Sequence, residues 1–256
     1  MASFSFGTIC EIILETNYYL TIMKTTKSIL LAFCFFFIAV SVLAQATETR
    51  TPGNFSKIQS GGSWDVIIQT GNKDEVRLES TNVSLDKVIT EVDNNTLKIS
   101  LEKGNYRSLG LTVYVTVREL EGIKSTGSGS IKVQSDITTG SLSLGNTGSG
   151  NITLKDVNAD NLSVGMTGSG FIAVAAGTVG TFSLSQTGSG DFRGEEMYAE
   201  NATINKTGSG QSQIGEVESL NVKSTGSGNV YYSGNPGSTN ISSTGSSKVI
   251  RRSGGS

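Results

Sequence analysis

The tripeptide Thr-Gly-Ser occurs seven times in this chain, starting at Thr126, Thr147, Thr167, Thr187, Thr207, Thr225 and Thr244. The first six copies are closed by a second glycine; the seventh reads Thr244-Gly245-Ser246-Ser247. Successive starts lie 21, 20, 20, 20, 18 and 19 residues apart. One fixed turn recurring at so even a period marks a stacked repeat, in which each unit buries its apolar side only against its neighbours.

Counted from the first glycine of each turn, the period is written in columns. Four residues before it stand Ile123, Leu144, Val164, Leu184, Ile204, Val222 and Ile241, all branched and apolar. Six before it, Leu142, Leu162, Phe182, Ala202 and Leu220 continue the pattern. Four after it come Ile131, Ile152, Ile172, Phe192, Ser212, Val230 and Val249, with Ser212 the polar exception. Six after it come Val133, Leu154, Val174, Gly194, Ile214, Tyr232 and Arg251, and Gly194 is expected to break the inner column locally. Each repeat therefore predicts two short alternating strands around a Gly-rich turn. Between the apolar positions of the first strand runs a small row expected to face outward: Gly122, Ser143, Ser163, Ser183, Thr203, Asn221 and Asn240.

Two topologies accommodate these columns. In a solenoid each repeat is one coil and the turns form a vertical corner; in an antiparallel meander each turn joins a hairpin. The solenoid is favoured because polar columns persist beside apolar ones, as parallel in-register stacking requires. The expectation is an all-β chain, a parallel β-helix or β-solenoid of about seven short TGSG-turn coils over residues 121–252. At ~4.8 Å per rung such an array is a rod of roughly 34 Å. The turn glycines, Gly190 among them, are expected to hold positive φ, so Gly190→Val should damage the array and Ser183→Thr should be mild.

Residues 50–120 have another rhythm and are read as a less regular N-terminal β region that begins or caps the solenoid. Segments Trp64–Ile68, Val76–Leu78, Leu97–Leu101 and Leu111–Val117 alternate as strands, with turns at Gly71-Asn72 and Asp93-Asn94-Asn95. At the far end Asn235-Pro236-Gly237 interrupts a coil, and Lys248, Arg251 and Arg252 place positive charge on the last edge, where it opposes strand addition.

Upstream, Lys24 and Lys27 precede an apolar run from Ile29 to Leu43. This reads as a secretory signal over residues 23–44, cleaved after Ala44 or Ala46, with residues 1–22 an upstream, non-structural extension. A retained membrane anchor is the alternative, but the run is short of the ~20 residues that usually span a bilayer. Both cysteines, Cys10 and Cys34, precede the cleavage point, and histidine is absent from the chain. Serine–histidine catalysis, histidine-ligated zinc and thiolate chemistry are thereby excluded from the exported part. Beyond Ala44 there are 18 basic and 20 acidic residues, a net charge of −2 that offers no field for nucleic acid.

Phe55-Ser56-Lys57-Ile58, followed by Trp64-Asp65-Val66, the strand ending at Val117 and the string of TGSG turns resemble a bacterial family, the autotransporter-adhesin head GIN domain, frequent in Bacteroidetes. The resemblance covers roughly residues 54–250. It implies a Gly-rich β-solenoid and a surface role, and it carries no catalytic or ligand residue to transfer. Many relatives place proline near Arg118, so that corner departs from the family pattern.

Among candidate sites, the strongest acidic cluster is Asp191, Arg193, Glu195 and Glu196. Polysaccharide cleavage would need two facing carboxylates roughly 5 to 9 Å apart; the alternative is a solvated bend with a surface ion pair. Asp136, Asp156 and Asp160 lack the repeated Asp–Gly pattern of a calcium-loaded roll. Phe171 and Tyr231, with Tyr106, Tyr114 and Tyr198, could stack on sugars or be scattered surface aromatics. Met166 reads as packing beside a turn. Asn54, Asn82, Asn94, Asn151, Asn161, Asn201 and Asn240 open N-x-Ser/Thr triplets, as composition alone would produce. No residue is assigned a catalytic, cofactor or metal role. The expected function is an exported, non-enzymatic surface or periplasmic scaffold or adhesin meeting a surface glycan or protein. A carbohydrate-active β-helix enzyme is the alternative.

Overall fold

The computed structural model describes residues 45–106 and 109–252; the 1–22 extension, the signal segment, Cys10 and Cys34 lie outside the described residues. Eight short strands come first: β1 (Ala46–Arg50), β2 (Lys57–Ser60), β3 (Asp65–Thr70), β4 (Glu75–Ser80), β5 (Val88–Asp93), β6 (Thr96–Leu101), β7 (Leu111–Val117) and β8 (Gly122–Ser125). Five strands of 15 to 19 residues follow: β9 (Ser130–Gly148), β10 (Asn151–Gly168), β11 (Ile172–Gly188), β12 (Phe192–Gly208) and β13 (Ser212–Gly226). The chain ends in β14 (Val230–Ser233), β15 (Ser238–Gly245) and β16 (Val249–Arg251). Except for a 3-10 turn at Leu85–Lys87, the described elements are all strands.

Strands β9 to β13 pair in parallel, with Thr147, Thr167, Thr187, Thr207 and Thr225 in register. Parallel ladders exclude the hairpin meander: each repeat is one coil. The turn is built the same way from Gly148 to Gly226. The first glycine's carbonyl accepts two N–H groups from the coil above, as Gly168 does from Ser189 (3.0 Å) and Gly190 (2.9 Å).

Each coil has three faces rather than two strands. In β10 the buried positions run Ile152, Leu154, then Val157, then Leu162, Val164, Met166, with a phase break between each run. The middle face has two inner positions in register: Ile137, Val157 and, past Gly177, Met197 at one, and Val179, Ala199 and Val217 two residues further on. The unequal repeat lengths are absorbed largely at one bend, between the first and second faces. Gln134 and Ser135 stand opposite Lys155 alone, which accommodates the 21-residue spacing. Glu195, Glu196 and Met197 stand opposite Gly215 alone, which accommodates the 18-residue one. Pro236 lies in the break between β14 and β15, as the sequence indicates.

The repeat makes about six turns, not seven. Among the described residues the last Thr-Gly-Ser is followed by the three residues of β16; β15 is exposed along its length and Ile241 is 45% exposed. Gly194 does not break the core. The Phe192 ring and the Met197 sulfur fill the place its Cβ would take, and Phe192 packs on Phe182 with centroids 5.0 Å apart. Ala202, in register with Phe182, balances that ring's bulk.

At the N-terminal end the coils are stacked out of chain order. Strands β2 and β3 lie between β6 and β7 on one side and β8 and β9 on the other, all parallel. Strands β5 and β4 then close the stack antiparallel to β6 and β7, and β1 lies outside β4. Asn94 (φ 47°) and Asn95 (φ 60°) form the two-residue link between β5 and β6, in the left-handed region a tight hairpin needs.

Candidate binding face

The first face of each coil, just after the turn, carries most of the sequence candidates. Asp191 does two jobs there. One carboxylate oxygen accepts the Gln211 backbone N–H at 2.8 Å, and the other meets the Arg193 guanidinium at 3.3 Å. Asn151 and Asn229 occupy the equivalent position two coils to either side and make the same backbone bond, to Phe171 (3.1 Å) and Lys248 (3.0 Å). Asp191 is thus one member of an alternating ladder that pins every second coil to the next. Glu195 pairs with Arg252 at 3.2 Å, across two further rungs. Glu196 is exposed on the following bend.

Arg193 lies over the Phe171 ring, 4.5 Å from its centroid, and Arg252 lies over Tyr231 at 4.0 Å. A third such stack, Arg77 on Tyr114 at 3.9 Å, sits near the cap. Guanidinium stacking holds each arginine by its cation–π attraction and covers one ring face. Phe171 and Tyr231 are three rungs apart, roughly 14 Å at the strand spacing, so they form separate stacks and no continuous aromatic patch. Tyr198 lies on the second face. Its hydroxyl donates to Glu218, and that bond, with burial and the charges of Glu218, Glu200 and Glu216, pushes its pKa up to about 12. Tyr106 donates to the Glu102 carbonyl at 3.0 Å.

Asp136 accepts Lys155 at 2.9 Å and Asp156 accepts the Asn158 amide at 2.6 Å. Among the described residues no group of three or more carboxylates is arranged to hold a metal ion. Met166 is 4% exposed, a packing residue as read. Of the triplet asparagines, Asn54 accepts Arg118 at 2.6 Å.

One feature escaped the sequence reading. The residue preceding the turn threonine points inward in the first six turns, giving a buried column of Ser125, Asn146, Met166, Gln186, Lys206 and Ser224. Their polar heads serve the turns: Asn146 donates to the Gly150 carbonyl at 2.6 Å, Gln186 to Gly190, and Lys206 to Gly228 at 2.7 Å. Ser212, the polar exception of its column, donates to Gln186. Burial lowers the Lys206 pKa, opposed by the charge of Asp191. The available signal was the strict alternation continuing from Leu184 to Gln186 and from Ile204 to Lys206.

The corner at Arg118 is pinned by charge. Its backbone N–H donates to Asp74 at 2.9 Å and its guanidinium to the same carboxylate and to Asn54.

The family model described as "Putative auto-transporter adhesin, head GIN domain" matches residues 54–236. The chain belongs to this family. Solved structures share the architecture. A putative adhesin from Bacteroides fragilis NCTC 9343 aligns with a TM-score of 0.75 at 21% identity, covering 81% of this chain and 97% of that one. A putative adhesin from Parabacteroides merdae aligns at TM-score 0.64 and 18% identity, covering 81% and 96%. A protein from Parabacteroides distasonis described as a putative lipid binding protein aligns at TM-score 0.60 and 23% identity, covering 80% and 96%. At these identities the likeness concerns the fold. No curated protein matches the chain.

Proposed function

We propose that this protein is an exported, non-enzymatic scaffold of the cell surface or periplasm that serves adhesion by presenting the outer faces of a rigid rod to a glycan or protein. In this reading residues 23–44 direct export and are removed, residues 50–120 cap the rod, and residues 121–252 are the rod itself. Family membership and the adhesin relatives support the role. The observation that carries the non-enzymatic part is the position of Asp191. It stands in the column of Asn151 and Asn229 and makes their bond to the next coil, so its carboxylate serves the fold. Glu195 is likewise held by Arg252.

The test is to incubate the purified protein with a polysaccharide panel and measure retention and chain length together. Retention without shortening is expected. Shortening that disappears in Asp191→Ala or Glu195→Ala would establish a carbohydrate-active enzyme instead. Retention by lipid vesicles alone would point to the activity named for the Parabacteroides distasonis relative.

A further inference from the structure

The third face of the coils, just before each turn, carries three glycines in neighbouring rungs. Gly122 and Gly145 lie diagonally on β8 and β9, and Gly165 continues the Gly145 row on β10. Glycine inside a strand costs roughly 0.5–1 kcal/mol against alanine, so its presence calls for a reason. The turn glycines have one, because a Cβ there would strike the backbone of the coil below. Gly145 and Gly165 have none from the fold. Neither holds a left-handed φ. A Cβ on Gly165 would meet nothing within 4 Å, and one on Gly145 would meet the Lys124 side chain at an ordinary 3.5 Å. A strand glycine that packing does not require marks a place where something else approaches the backbone closely.

The flanking charges indicate what approaches. The stem of Lys57 lies across Gly122 and that of Lys124 across Gly145, and both line one shallow depression of about 260 Å³. Neither ammonium has a hydrogen-bond or ion-pair partner among the described residues. Lys98, in the same row on β6, is by contrast neutralised by Asp93 at 2.6 Å. Glu121 borders the adjoining hollow, where its carboxylate accepts the Ser56 hydroxyl. Beyond the lysines the floor is Ser143, Ser163, Asn161 and Ser141, all small and hydrogen-bonding. The large exposed hydrophobic among the described residues is Ile241 on the far end strand, so this face has nothing to enter a bilayer.

We propose that the glycine-floored depression between Lys57 and Lys124 is a binding site for an acidic polysaccharide, its carboxylate or sulfate groups on the two ammoniums and its sugar rings on Gly145, Gly165 and the serine floor. The proposal rests on the non-enzymatic binding role given above and names the ligand class and the face.

The experiment measures binding of the purified protein to polygalacturonate, dextran sulfate, neutral dextran and phosphatidylglycerol vesicles at about 50 and about 300 mM salt, which bracket the ~10 Å Debye length of 0.1 M. Binding of one or both acidic polymers, weakening as salt rises and absent for neutral dextran, is expected, and the polymer preferred tells carboxylate from sulfate. Lys57→Gln with Lys124→Gln should weaken it by about tenfold or more, as loss of two charge-assisted contacts implies. Gly145→Val with Gly165→Val should weaken it comparably while the thermal midpoint holds or rises, which separates a filled floor from a damaged fold. No binding to either polyanion, affinity unchanged in both double variants, or binding to vesicles alone would overturn the site. Cleavage of the bound polymer would overturn the non-enzymatic reading while leaving the site standing.

Discussion

At the residue scale, the glycines of this chain divide by what each one's missing side chain makes room for. The left-handed φ falls on the first glycine of the turn from Gly168 onward, as at Gly188 (111°), and not on Gly190, where the sequence reading placed it. Gly190 is needed for a different reason: its Cβ would overlap the Gly170 carbonyl in the coil below. Gly190→Ala should therefore cost about 3 kcal/mol or more, the scale of an overpacked backbone contact. Gly165→Ala should be neutral or stabilise by roughly 0.5–1 kcal/mol. Urea unfolding of the two variants checks both, and equal effects would refute the distinction.

Lys206 belongs to the same scale. Burial holds its folded pKa below the unfolded value, so protonation opposes folding at neutral pH and the opposition fades as pH rises toward ~10.4. Lys206→Met copies Met166, two coils away in the same column, and Ser247 still donates to the Gly228 carbonyl at 2.7 Å. The variant should match or exceed the parent's stability at pH 7. The parent should then gain on it as pH rises from 7 toward the reference lysine value of ~10.4, as read by denaturant midpoints across that interval.

At the scale of elements, the end of β7 is fixed by the Asp74–Arg118 pair. Burial pushes the Asp74 carboxyl up, but the Arg118 guanidinium and backbone N–H outweigh it and hold the group below the usual carboxylate range. A depressed folded pKa contributes stability above the unfolded value of ~3.9 and loses it as pH falls through the folded one. Asp74→Ala should cost about 1–3 kcal/mol at pH 7, and the gap between variant and parent should close on acidification. Equal gaps at pH 7 and in strong acid would show that the pair is not the cause. This corner also shows how far the pattern of the strands could be read. Alternation located β3, β4, β6 and β7, because each has one buried face. It missed β1 and β5, whose burial does not alternate cleanly, and β2, whose four residues are too few to show a period, whereas β8 was marked by the repeat columns through Gly122 and Ile123.

At the scale of the whole molecule, stability is the sum of coils and the contacts between them. Deleting residues 161–180 joins Asp160 to Thr181 and leaves both neighbouring coils in register, since Asn161 pairs with Thr181. That variant should fold cooperatively with a smaller urea m-value, because less surface is exposed on unfolding. A ten-residue deletion, which puts every column out of phase, should not fold. The open end behaves otherwise. Amide exchange should be fastest in β15, and Ile241→Ala should cost little where Ile204→Ala costs about 2–5 kcal/mol.

The repeat by itself determined the coil, its inner columns and the vertical corner of turns. A stacked parallel strand must set like residues above like, so its constraints recur at one period and are visible in one dimension. The third face, the interleaving of β2 and β3 into the stack, and the bend that absorbs uneven repeats were decided by tertiary structure, because they depend on which strands meet and not on their order. The same holds for Asp191, Gln186 and Lys206. Whether a polar side chain serves chemistry or a neighbouring coil's backbone is settled by what lies one rung away, some twenty residues distant in the chain.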